Sequence, residues 1–285
     1  MTAIDLPPRA SVPPRGGRGR SRAARIRTGL VEVALVLALY VAYSCSRLLA
    51  STDLGAAKSR AHGLMTLEQD LFLDWEGALN RLFSHVPLLG IGGSYYYATA
   101  HYVVTAVVLL WLHHRGRAAY VPARNGLIVA TVLGLIGYLL FPTAPPRLSG
   151  FGHIDVLKEY AAAGWWGGSA SAPRGFGQYT NELAAMPSLH AGWALWVLLA
   201  LTAAGAPLLW RQLAMAHVLV TAVVVVGTGN HWVLDVVVGW LVVLAGWWVS
   251  TRLPARLAGR FPGSSRLRRS VGRAPAPESV QARRS

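Results

Sequence analysis

A polytopic, all-α membrane bundle of six spans is the fold class this sequence predicts. Three observations predict it: an apolar composition, six apolar segments of spanning length, and arginine gathered at the chain ends. Of 285 residues, 53% are hydrophobic and 14% charged, with a mean hydropathy of +0.39. That balance leaves too little charge to cover a water-facing surface. The 27 Lys and Arg residues outnumber the 12 acidic ones and give a net charge of +15. The cations are concentrated: seven arginines (Arg9, Arg15, Arg18, Arg20, Arg22, Arg25 and Arg27) open the chain and nine follow Trp248. These tails set Arg among Pro, Gly, Ser and Ala rather than among stacking aromatics. The pattern argues against nucleic acid as a partner and for the anionic lipids of a cytoplasmic leaflet. Cys45 is the only cysteine, which rules out an intramolecular disulfide and a Cys-rich metal site.

A helix crosses the hydrocarbon core in roughly 20 residues. The segments 30–50, 95–113, 127–141, 189–210, 213–229 and 232–250 suit that length, the third by extending back toward Val121. The first is longer than a signal-peptide core and no small-x-small cleavage site follows, so it reads as a retained span. Arg115, Arg117 and Arg124 follow the second span and Arg211 the fourth. The connections after the first and third hold Asp53, Glu68, Asp70, Asp74, Glu76, Asp155, Glu159 and Glu182. Because cytoplasmic loops carry the excess of Lys and Arg, this distribution puts both termini in the cytoplasm of a multi-pass cell-membrane protein. An even span count follows, in agreement with six. The domain organisation is then a basic tail over 1–26, a six-span domain over 27–250 and a second basic tail over 251–285.

Between spans one and two, Leu64, Leu67, Leu71, Trp75, Leu79 and Leu82 recur at spacings of three and four. This predicts one amphipathic helix, either at the outer interface or packed as an ordinary loop helix. Between spans three and four, residues 142–187 form a long extracytoplasmic connection rich in Gly, Pro, Ser and Trp. Connections of that length in compact proteins are usually functional.

Three polar clusters fall at the outer ends of spans. In Phe141-Pro142-Thr143-Ala144-Pro145-Pro146-Arg147 the prolines end the third span and extend the backbone beyond it. Arg147 is thereby placed either to grip a phosphate with its planar fork or to anchor the helix end. In Met186-Pro187-Ser188-Leu189-His190, Pro and Ser suit a helix start, where free amides attract anions. His190 beside them is a candidate proton donor, although a lone His at a helix end also fits a structural role. In Gly227-Thr228-Gly229-Asn230-His231-Trp232-Val233-Leu234-Asp235, His231 and Asp235 share a helix face. A carboxylate on one ring nitrogen fixes the tautomer and leaves the other nitrogen as a nucleophile. Asp235 is the only acidic residue in the last three spans, and an ionisable group within a span reads as functional by default. His101 and Tyr95-Tyr96-Tyr97 in span two fit a cavity lining or an interfacial aromatic belt.

Together the clusters resemble the type 2 phosphatidic acid phosphatase superfamily, whose signature is a basic first motif, Pro-Ser-x-His and His-x-x-x-Asp. The stretches FPTAPPR, AMPSLH and HWVLD are most similar to the branch that includes inositol phosphorylceramide synthases. The resemblance spans roughly residues 95–248. It implies that His190 is the general acid, His231 the nucleophile and Asp235 the group that orients it, with no metal and no cofactor. Where the family pattern places a Lys in the first motif and an Arg before the nucleophile, this chain has Leu140 and Val225. Arg147 remains for the phosphate, with Ser188, Asn230 and Thr228 as neutral donors and Arg174 or Lys158 as replacement cations.

The implied activity is integral-membrane phosphoryl transfer on lipid-linked phosphates through a phosphohistidine. Water as acceptor makes the protein a lipid phosphate phosphatase; an alcohol makes it a head-group phosphotransferase such as an inositol phosphotransferase. Its partners are the bilayer and the lipid phosphate, and no protein partner is indicated. A rival reading takes His190, His231 and Asp235 as three ligands of a catalytic metal, the count of a zinc site, with Arg147 repelling the ion. Another takes the polar groups as the binding site of a non-enzymatic transporter or scaffold.

Overall fold

The computed structural model describes residues 22–166 and 181–259. Most of both arginine-rich tails, and Arg174 in the long connection, lie outside the described residues. The chain divides into two units, residues 1–41 and 42–285. The described part of the first is helical and belongs to α1 (Arg22–Leu49), with Leu30, Val31, Val33, Leu37 and Val41 exposed along it.

The second unit holds the end of α1 and every later element. These are α2 (Leu54–Asp70), α3 (Glu76–His85), α4 (Pro87–Arg115), α5 (Arg117–Leu140), the short α6 (Pro146–Ser149) and α7 (Val156–Glu159), a 3-10 turn at Ala161–Ala163, α8 (Leu189–Ala203), α9 (Leu208–Gly227) and α10 (Val233–Gly259). Among the described residues there is no strand, only an isolated parallel bridge between Thr143 and Ala184.

Among the described residues, four helices are long and apolar enough to cross a membrane: Pro87–Arg115, Arg117–Leu140, Leu208–Gly227 and Val233–Arg252. The other two expected spans coincide with shorter apolar stretches, Leu30–Ser46 and Leu189–Ala203. The fourth expected span stops early. Gly205 takes a left-handed conformation at φ +66 just after α8, and Pro207 stands at the N-cap of α9. Trp210, expected at the end of that span, and Arg211, expected in the connection after it, therefore belong to the first turns of α9.

The single amphipathic helix expected over 64–82 is two helices, broken where Phe72 adopts a positive φ of 57. Its orientation also differs from the pattern of a water-soluble helix. Leu67, Leu71, Trp75 and Leu82 are exposed, whereas Ala57, Ala61, Glu68, Glu76, Asn80 and Phe83 are buried. Lipid accepts leucine as readily as a protein core does, so the apolar stripe can face outward while polar groups find partners inside.

Packing places the starts of α8 and α10 side by side. α10 runs along α5 and against α8, α8 also meets α9 and α4, and α3 lies against α9 and α4. A Cβ on Gly239 would sit 2.2 Å from the carbonyl oxygen of Ser188, so α10 and the start of α8 touch backbone to backbone. Trp196, fully buried in α8, donates its indole N–H to the carbonyl of Ala123 at 2.8 Å and ties α8 to α5. One apolar cluster forms around Leu112, Ala130, Trp196 and Val243. A second, around Phe83, Tyr97, Leu157, Trp166 and Val225, and a third, around Ala57, Ala144, Ala185 and Trp232, enclose the polar residues described next.

Candidate active site

The turn between α9 and α10 carries the densest polar network. Thr228 closes α9 by donating its hydroxyl to the carbonyl of Val224 at 2.8 Å. Gly229 follows at φ +75, where a Cβ would lie 2.8 Å from the Ile154 oxygen and 3.1 Å from Asn80 Nδ2. Both the conformation and the crowding require glycine. Asn80 of α3 staples the neighbouring loop. It donates to the carbonyls of Ile154 and Gly227 at 2.9 and 3.1 Å and accepts from the Ile154 amide at 2.7 Å.

His231 comes next, nearly buried at 3% exposure. Its Nδ1 lies 2.8 Å from the carbonyl oxygen of Ala185 and 3.4 Å from Asp235 Oδ2. A carbonyl only accepts, so Nδ1 carries the proton and Nε2 holds the lone pair. The sequence points to Asp235 as the group fixing this tautomer, but the shorter contact is to Ala185. Ala185 is held by the chain pairing at Thr143 and Ala184, where the amide of Thr143 donates to Leu183 at 2.9 Å.

The first turn of α10 is closed by three carboxyls. The amide of Trp232 donates to Asp235 Oδ2 at 2.8 Å, that of Val233 to Glu76 Oε1 at 2.9 Å, and that of Leu234 to Glu68 Oε1 at 2.6 Å. Free amides at a helix start attract negative groups, and here the protein supplies its own. The Trp232 indole donates to the Ala144 carbonyl at 2.9 Å, which joins the first motif to this turn.

His190 lies in the first turn of α8. Its ring stacks on Tyr97 with centroids 4.3 Å apart and meets the His101 ring at 4.1 Å. The His190 and His231 centroids are 5.8 Å apart, too far for a direct hydrogen bond. His190 Nε2 is buried with no hydrogen-bond partner among the described residues. Ser188 serves as the cap of α8: its hydroxyl accepts from the Ala191 amide at 3.4 Å, and its own amide donates to the Asp235 carbonyl at 2.9 Å.

Arg147 starts from α6 and is 3% exposed along its side chain. Its Nε donates to Asn230 Oδ1 at 3.1 Å, and Asn230 Nδ2 donates to Thr228 Oγ1 at 3.0 Å. The rest of the fork meets carboxylates, Asp155 at 3.2 Å and Glu182 at 3.7 Å. The structure thus gathers Arg147, Ser188, His190, Asn230, His231 and Asp235 around one region, with His101 and Tyr97 against it. It does not bring Lys158 there as a replacement cation: Lys158 is exposed on α7. Leu140 is 64% exposed, and Val225 is packed in the apolar cluster beside the site. Glu68, Glu76, Asn80 and the Ala185 carbonyl are participants that motif reading does not find. The three side chains sit on the buried face opposite the leucine stripe, and a carbonyl leaves no trace in residue type.

Membrane-length helices packed around a buried cluster of two histidines, an arginine and a carboxylate are the arrangement of a membrane protein with a polar site inside its helical bundle. The PAP2 superfamily model matches residues 62–249, well over half of the chain, and the chain belongs to that superfamily. Membership supports a phosphatase-type membrane enzyme that acts on phosphate esters. Comparison with curated proteins and with solved structures found no match.

Proposed function

We propose that the protein transfers a phosphoryl group from a lipid-linked phosphate through a covalent phosphohistidine on His231. The observation that carries this reading is the 2.8 Å contact between His231 Nδ1 and the Ala185 carbonyl, which commits the other ring nitrogen, Nε2, to be the nucleophile. In the first half-reaction the Nε2 lone pair attacks phosphorus, the bond from phosphorus to the lipid oxygen breaks, and His190 gives that oxygen a proton. In the second, His190 takes a proton from the acceptor. The acceptor oxygen then attacks phosphorus and the nitrogen–phosphorus bond breaks. The two imidazoles border one region, with ring centroids 5.8 Å apart, so the nucleophile and the proton donor act on the same phosphoryl group in this reading.

Arg147 meets the phosphoryl oxygens in this reading. The substrate competes there with Asp155 and Glu182, so phosphate replaces a carboxylate at a pre-positioned guanidinium. Ser188 and Asn230, the further phosphate donors of this reading, lie beside it: Ser188 caps α8 and Asn230 holds the Arg147 Nε. The chain threads the membrane six times with both termini in the cytoplasm. The site lies at the extracytoplasmic face, where lipid enters laterally. No metal or cofactor takes part.

Water as acceptor makes this a lipid phosphate phosphatase. Asp155 and Glu182 beside Arg147 favour a second reading, because carboxylates accept hydrogen bonds from a hydroxyl-rich acceptor such as inositol. Purified protein supplied with phospholipids and polyprenyl phosphates, with and without inositol, tests both. Free phosphate identifies the phosphatase and a new phosphodiester identifies the transferase. No product from any phosphate lipid would reject the enzymatic reading in favour of a transporter or scaffold.

A further inference from the structure

Two carboxyls that no motif predicts are buried together at the start of α10. Glu68 of α2 is fully buried and Glu76 of α3 is 3% exposed. Each accepts from a first-turn amide of α10, at 2.6 and 2.9 Å, and because those amides belong to consecutive residues the two carboxyls are held side by side. Asp235, also fully buried, occupies the same helix start. Three ionised carboxylates packed together away from water would repel one another, and one helix terminus offsets only about half a charge. Glu68 Oε2 and Asp235 Oδ1 are buried atoms without a partner among the described residues. A proton on Glu68 Oε2 resolves the first of these, because that oxygen then donates to the Glu76 carboxylate while Oε1 keeps the Leu234 amide.

We infer that Glu68 and Glu76 are positioning residues for the phosphoryl transfer, sharing one proton and clamping the first turn of α10 so that His231 and Asp235 stay aligned with His190. The inference rests on the proposed function for its catalytic consequence, but the clamp itself does not depend on it. His231 lies immediately before the clamped turn, and Ser188, which caps the helix of His190, is bonded to the Asp235 carbonyl. A shift of α10 therefore changes the spacing of the two histidines directly. The ionisable groups facing the pair are Asp235, with His231 beyond it, and His153, which senses both Glu76 and Arg81. Burial is the largest influence on the Glu68 carboxyl, which is pushed up to about 9, and the charges of Glu76 and Asp235 add to it.

Glutamine at position 68 mimics the protonated acid, keeping an acceptor for Leu234 and a donor for Glu76, whereas alanine removes both. Infrared spectra of the full-length protein near pH 8 should show a protonated carboxyl band that is absent in Glu68→Gln. Amide exchange at positions 232–234 should quicken on the order of 10-fold in Glu68→Ala and stay near wild type in Glu68→Gln. The turnover number should fall on the order of 10- to 10²-fold in Glu68→Ala with KM little changed, since small misplacements near reacting groups cost that much. Glu68→Gln should restore most turnover and should lack the wild-type decline toward pH 9. The first two readouts need no substrate, so failure of the phosphoryl-transfer reading leaves the clamp tested. A wild-type spectrum without the band, a band that survives both Glu68→Gln and Glu76→Gln, or a Glu68→Gln as impaired as Glu68→Ala overturns the inference.

Discussion

The Nδ1 of His231 lies 2.8 Å from the carbonyl oxygen of Ala185, closer than to any carboxylate. A backbone carbonyl can only accept, so it favours the neutral tautomer with the proton on Nδ1. In the proposed mechanism Asp235, at 3.4 Å, stabilises the ring as it turns cationic on phosphorylation. Asp235→Asn should therefore lower turnover by roughly 10- to 10²-fold, well short of the roughly 10⁴-fold that a wrong tautomer costs in hydrolase triads. Steady-state kinetics of the variant decide this, and a loss near 10⁴-fold would mean that Asp235 sets the tautomer.

Arg147 is held at Nε by Asn230 and flanked by Asp155 and Glu182. Lysine would keep the charge but lose both the Asn230 bond and the planar fork. Arg147→Lys should lower kcat/KM by roughly 10- to 10²-fold, the scale of a charge-assisted pair. Asp155→Asn keeps the cap on α7 and removes a competitor for the guanidinium, so KM should fall. An unchanged Arg147→Lys would make the residue a helix anchor only.

His190 is assigned as the acid that protonates the departing lipid oxygen. Its removal should matter greatly for an alkyl phosphate and little for an aryl phosphate whose phenolate leaves without a proton. His190→Ala should lose on the order of 10²-fold on the lipid, with a much smaller loss in the phosphorylation step on the aryl ester, measured as a burst. Equal losses on both esters would remove His190 from that role.

Glu68 gives stability a direction with pH. An unfolded glutamate titrates near about 4.3, whereas in the folded chain burial first, then Glu76 and Asp235, push Glu68 up to about 9. Between those values the folded chain holds a proton that the unfolded chain has released. This contribution is fully present below the unfolded pKa and is lost as pH rises through the folded one. The thermal midpoint should decline from about pH 5 to pH 9, and Glu68→Gln should flatten that slope. A slope identical in both proteins would contradict the assignment.

Much of this was legible in the sequence, for physical reasons. Segment length and hydropathy locate spans because lipid permits few alternatives to a helix, and His231 and Asp235 stand out because an ionisable pair inside an apolar run has a cost. In the α2 and α3 region the spacing of the leucines does not reveal the break at Phe72, nor which of the two expected placements holds; Leu67, Leu71, Trp75 and Leu82 face outward, as an interfacial helix would place them. The boundary between α8 and α9 turns on Gly205 and Pro207, which an average over apolar residues does not resolve. The partners that fix the site were not legible at all. The Ala185 carbonyl, the amides of Val233 and Leu234, and the pairing of Arg147 with Asp155 and Glu182 all depend on segments brought together only by folding.

The central claim is that His231 becomes covalently phosphorylated, and trapping the intermediate tests it most directly. Protein mixed with a phosphorus-labelled lipid phosphate and quenched without acid should carry label on a peptide containing His231, stable to base and labile to acid. The label should be absent from His231→Ala, which should have no turnover, and should accumulate in His190→Ala with the aryl ester, whose release step lacks its base. Confirmed turnover with no label on His231, together with substantial activity in His231→Ala, would contradict the account and assign the attack on phosphorus to water.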